Sequence, residues 1–155
     1  MTATIQRKNP DALYRVHDRM KKASQREIAV GFPAGKAQAY PDGTSVVEVA
    51  AAHVFGVGVP VRDFMALAKQ GIVDKTSPIL KAIAEAQASG KNESVVNALM
   101  EAAGAEGQAA IQAAIVELRD PPNAPSTIAA KGSDNPLIDT SKMLQSVTYS
   151  VRNKK

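Results

Sequence analysis

The sequence predicts an α+β fold in which a small antiparallel sheet packs against several helices, with an extended loop or hairpin near 34–44. Three observations carry this reading. Hydrophobic residues make up 45% of the chain but aromatic residues only 4%, so the core is built from Ala, Val, Leu and Ile, which suits closely packed helices. Two short stretches, near 27–32 and 146–152, alternate apolar and small or polar residues with the period of a half-buried strand. A third stretch, about 93–118, repeats apolar residues at helical spacing over its whole length. A chain of 155 residues fits one domain over 1–155 and buries a sizeable core.

In chain order, Asn9-Pro10-Asp11 starts a helix over about 10–23, with Leu13, Val16, Met20 and Ala23 on one face. Ile28, Val30 and Phe32 alternate with Ala29 and Gly31 in the first strand, which Pro33 closes. No buried face can be drawn on 34–44, which reads as a mobile arm or hairpin with a turn at Pro41-Asp42-Gly43. Ser45 and Glu48 have the form of a capping box, and the helix they open is apolar nearly all round. Either the long helices cover it, or a subunit contact supplies part of the cover. Asp63 caps a helix ending near Gly71, and Ser77-Pro78 starts another that Gly90 ends. In the longest helix, Gly104 and Gly107 mark a kink or a close crossing with another helix. Pro125-Ser126 starts a short helix and Gly132 stops it, while Asp139 or Thr140 caps a last helical turn. Val147, Tyr149 and Val151 then form the second strand, and 153–155 is a basic tail.

The absence of cysteine excludes disulfides and thiolate metal sites. No run of about 18 apolar residues spans a membrane, and Met1-Thr2-Ala3-Thr4 opens no secretory signal. The net charge of +4 is mild, and Arg15, Arg19, Lys21, Lys22 and Arg26 with Arg152, Lys154 and Lys155 read as a solvated face and tail. The other reading of that cluster is an acidic partner or nucleic acid. His17 and His53 lack the spacing of metal ligands, Asp139-Thr140-Ser141 has no neighbouring histidine, and the glutamates sit at exposed helix positions. No catalytic residue, cofactor or metal is therefore assigned, and the expectation is a protein that is not an enzyme.

Two blocks carry a resemblance. The first runs from His53-Val54-Phe55-Gly56 through Val59-Pro60-Val61-Arg62 to Phe64; the second is Pro121-Pro122-Asn123 with Pro125-Ser126-Thr127, then Lys131 to Thr140, followed by Met143-Leu144 and Ser146. Together they resemble tailed-phage virion morphogenesis proteins, the tail completion or head-tail connector (neck) components, over about the C-terminal two thirds of the chain. Asp63 stands where that family has a second proline, which extends the following helix by one residue. Ser141 stands where it has glycine, which weakens the case for a positive-φ turn there.

The resemblance implies a structural protein at the head-tail junction that assembles as a homo-oligomeric ring. Its implied partners are the portal or head-completion protein and the tail tube or tail terminator, and its implied place is the virion after synthesis in the host cytoplasm. DNA would touch it only as the passing genome. The expected subunit or partner contacts are Tyr40, Phe55, Pro60, Arg62, Phe64, Pro122, Asn123, Lys131, Asp134 and Asp139. For Arg62 an orienting salt bridge within the fold competes with an intersubunit contact. The alternatives are a tail terminator capping the tube and, from another class, a small basic DNA-binding protein. The lack of stacking aromatics argues against the latter.

Overall fold

The computed structural model describes residues 11–33 and 39–154. Among these, the element order is α1 (Ala12–Ala23), β1 (Arg26–Gly31), α2 (Val46–Phe55), α3 (Phe64–Ser89), α4 (Glu93–Glu117), α5 (Pro125–Lys131), α6 (Lys142–Ser146) and β2 (Thr148–Asn153). This is the α+β arrangement expected, with a two-stranded antiparallel sheet laid on helices. The Asn9-Pro10 start of the first helix and residues 34–38 lie outside the described residues.

α3 and α4 form the frame, joined by a tight turn in which Gly90 adopts φ 71° and Asn92 caps α4 through Ser94 N–H at 3.1 Å. The two helices expected over this part of the sequence are one continuous α3, with Pro78 inside it. Proline removes an N–H from the helix ladder. Two side chains tie down the turn before it: Thr76 Oγ1 donates to the Ile72 carbonyl at 2.7 Å and Ser77 Oγ to that of Val73 at 2.6 Å. Packing on α4 overrides the local stop signal, and Gly71 faces α4 with room for a methyl group, since a Cβ there would lie at an ordinary 3.7 Å from Ala110 Cβ.

β1 pairs with β2 from Arg26↔Asn153 to Gly31↔Thr148. Ile28, Val30, Tyr149 and Val151 share one face by register and strand period, and that face lies on α4 at the two glycines. A Cβ on Gly107 would fall 3.0 Å from Val30 Cγ2, and one on Gly104 would fall 2.8 Å from Tyr149 Cε2. The glycines thus mark a crossing of helix and sheet, in place of the kink or helix crossing expected. Lys154, expected in a tail, continues the pairing through its N–H to the Gln25 carbonyl.

The main core gathers Val46, Ala50, Phe64, Ala68, Ile111, Ile115, Leu137, Met143 and Val147 from α2, α3, α4 and the C-terminal segment. Phe32 meets Phe64 edge to face at 6.3 Å between ring centres. A smaller cluster of Ala86, Val96 and Met100 lies beneath Ile28 and Val151. α1 contributes no buried residue, and its expected inward stripe is largely open, with Leu13 68% and Met20 41% exposed. Its link to the frame is polar at the end of α3, where Arg19 donates to the Ala88 carbonyl at 3.3 Å. No helix among the described residues is long and apolar enough to cross a membrane.

Candidate functional site

The two blocks that carry the family resemblance fold into one corner. The capping box expected for α2 is present, with Ser45 accepting from Val47 N–H at 3.2 Å and Glu48 from Ser45 N–H at 3.4 Å. Gly56 ends α2 in the left-handed conformation, and the following loop returns so that Arg62 N–H reaches the His53 carbonyl at 2.7 Å. From there the Arg62 side chain enters the second block. Its Nε donates to the Pro121 carbonyl at 2.9 Å, and its Nη2 to the Pro122 carbonyl at 3.0 Å and to Asn123 Oδ1 at 3.3 Å.

Of the two roles expected for Arg62, the one within the fold is present, but through neutral acceptors: the residue is only 5% exposed, and its partners are two carbonyls and an amide in place of the anticipated salt bridge. The guanidinium keeps its charge when desolvated and its fork matches several acceptors at once. Burial lowers its pKa from the ordinary guanidinium range. The contact expected of Phe64 is corrected: the residue has no exposed surface and serves the core.

Asn135 is the second pin; it belongs to the second block but was not among the contact residues expected from the sequence. It is 5% exposed, its Nδ2 donates to the Val116 carbonyl at 3.1 Å, and its Oδ1 accepts from Leu137 N–H at 3.0 Å. Its own carbonyl accepts from Asn123 Nδ2 at 3.3 Å and from Lys131 Nζ at 3.1 Å. The signal lay in an amide set directly before Pro-Leu-Ile, a polar group drawn into an apolar run.

Around these pins lie two clefts, of about 520 Å³ and 590 Å³, that share His53, Lys131 and Pro136. Tyr40 and Asp139 line the first; Pro60, Arg62, Pro122 and Asn123 line the second. The first is closed on one side by the hairpin tip of the expected arm, where Ala39 bridges Ser45 and Thr44 N–H bonds Asp42 Oδ1 at 2.9 Å. The Tyr40 hydroxyl has a raised pKa because it is partly buried and faces Asp139 and Asp42. The Lys142 ammonium stands 6.0 Å from its ring centre.

His53 Nδ1 is buried without a hydrogen-bond partner. Burial lowers its pKa, and the positive charges of Arg62 and Lys131 lower it further, so the ring is neutral at pH 7. Among the described residues, no nucleophile or carboxylate is hydrogen-bonded to its Nδ1. Among the described residues, no group of three or more His, Asp or Glu could hold a metal ion.

The segment preceding α6 departs from expectation. Neither Asp139 nor Thr140 caps the helix; Ser141 occupies that position with φ 59° and makes no side-chain cap bond. The positive φ that glycine would favour is thus present despite the serine. Of the expected contact residues, Pro60, Pro122, Asp134 and Asp139 are exposed, and Tyr40, Asn123 and Lys131 are half-buried. Phe55 is 74% exposed, and beside it at the same turn stand Val57 at 70% and Val61 at 56%. Compared with known proteins, this chain matches no family model, no curated protein and no solved structure.

Proposed function

We propose that this chain is a structural subunit of a tailed-phage virion, a tail completion or head-tail connector protein that assembles as a ring to join tail and head. The observation that carries the reading is the corner itself. The residues that resemble the family, distant in sequence, meet around Arg62 and Asn135 and hold an apolar prominence of Phe55, Val57 and Val61 out to solvent. Large side chains exposed on a pinned turn have the character of assembly contacts. Repetition of one such heterologous contact about an axis closes a ring. The portal or head-completion protein and the tail tube or terminator are the partners in this reading.

The test is electron microscopy of particles from a phage in which this gene carries a nonsense mutation. Filled heads beside detached tails of normal length support the joining role. Tails of abnormal length move the assignment to a terminator, and normal infectious particles overturn the structural reading.

A further inference from the structure

Two clefts meet at the start of β1. One, of about 410 Å³, is apolar and lies between β1 and α3, lined chiefly by Ile28, Val30, Ile72, Leu80 and Ile83 with Met100 of α4. The other, of about 280 Å³, lies at the end of α3 and carries Arg19, Lys22, Arg26 and Lys91. Both include Ala23, Arg26, Gln87 and Val96, so they adjoin there as two parts of one channel, mainly apolar along the strand and mainly cationic at its end, with Glu27 in the first lining and Glu93 in the second.

Two further facts define what fits. β2 is the only strand paired with β1 among the described residues, and no β2 residue lines the apolar cleft. The cleft therefore lies on the side of β1 away from β2, where no described residue pairs with the strand and alternate residues of its six turn their N–H and C=O groups outward. The cationic end is only partly neutralised. Lys22 reaches Asp18 at 3.0 Å, and Arg26 bonds Asn97 Oδ1 at 2.6 Å with Glu93 at 3.9 Å. Arg19 is engaged with a carbonyl rather than a carboxylate.

We propose that this channel receives an extended peptide segment of a partner protein that adds as a strand to β1. Its alternate apolar side chains fill the cleft toward α3, and acidic residues or a terminal carboxylate at one end meet Arg19, Lys22, Arg26 and Lys91. Strand addition uses backbone hydrogen bonds for affinity and side-chain pockets for selectivity, and the charge at the end fixes the direction of entry. A helix or an acyl chain would leave the edge of β1 unmatched. The inference is independent of the virion reading.

The test is fluorescence anisotropy on the full chain with synthetic octapeptides of alternating Val and Thr. Two Glu residues stand at the N-terminal end in one peptide and at the C-terminal end in another, each beside a version with Lys in place of Glu. One Glu peptide is expected to bind at least tenfold more tightly than its Lys counterpart. Methylating its alternate backbone amides should abolish binding in one of the two registers. Lys91→Glu, at an exposed position, should weaken that peptide severalfold with an unchanged thermal melt, and Leu80→Glu should weaken it further. Equal binding of the charge-reversed peptides, no binding, or indifference to amide methylation in both registers overturns the proposal. So does binding of laurate or of a short DNA duplex in place of every peptide.

Discussion

Tyr149 of β2 occupies the space that a side chain at Gly104 of α4 would fill. Sheet and helix are therefore in register through the absence of one methyl group. Gly104→Ala should destabilise the fold by about 1–3 kcal/mol, because overpacking outweighs the gain in helix propensity. Gly71→Ala places its methyl at an ordinary 3.7 Å from Ala110 and should stabilise by up to about 1 kcal/mol. Thermal and urea melts of the two variants should move in opposite directions.

Arg62→Ala leaves the Pro121 and Pro122 carbonyls without their side-chain donor and should cost about 2–4 kcal/mol. Arg62→Lys should recover less than half of that loss, because an ammonium cannot span the same set of acceptors. Urea unfolding of both variants checks this, and full recovery by lysine would contradict the forked geometry.

His53 gives the fold a pH dependence with a defined sign. Its folded pKa is lowered, so the unfolded chain binds the proton more readily. Its contribution to stability is complete above its unfolded pKa, near 6.5, and is lost as the pH falls from there through the folded value. Melting temperatures of the wild-type chain should therefore drop between about pH 7 and pH 5 more than those of His53→Gln. Parallel curves for the two proteins would contradict the assignment.

Ser141 is the one non-glycine residue with positive φ among those described. Ser141→Gly removes the steric cost of the left-handed conformation, and part of that gain is offset by glycine's extra chain entropy. A net stabilisation of some tenths to about 1 kcal/mol is expected, against a loss for the β-branched Ser141→Val. Melts of both variants decide it.

If the exposed prominence makes the assembly contact, Phe55→Asp should prevent ring formation in light scattering and electron microscopy. Its monomer melt should shift by less than about 0.5 kcal/mol, because Phe55 is 74% exposed. Rings that persist in this variant would place the contact elsewhere.

The strands, the long α4, the capping box and the αL stops at Gly90 and Gly132 were legible because each rests on local backbone chemistry. The break expected between Gly71 and Pro78 was not real. Burial of that face of α3 against α4 is a tertiary gain that local signals cannot report. Phe64 was read as a partner contact, and Arg62 was left between a role within the fold and a partner contact, because a motif shows which residues matter together, not whether they face inward. The role of Asn135 was hidden for a similar reason, since its acceptor on Val116 lies 19 residues away. The apolar stripe of α1 was legible, but its open position was not, because periodicity specifies a face and not what covers it.

The sheet joins Glu27 to Arg152, 125 residues apart in sequence. During synthesis, the first strand emerges long before its partner exists, while α3 and α4, neighbours in sequence, can already pair on the ribosome. For that interval β1 has both edges bare and its apolar face without the second strand beside it. At elongation rates of about 5–20 residues per second this exposure lasts roughly 6–25 seconds, long enough for chaperone capture or premature association between nascent chains. The cost of splitting a small sheet across the chain is thus borne in biogenesis, where crowded expression would select for a holdase or a slow, dilute supply of subunits.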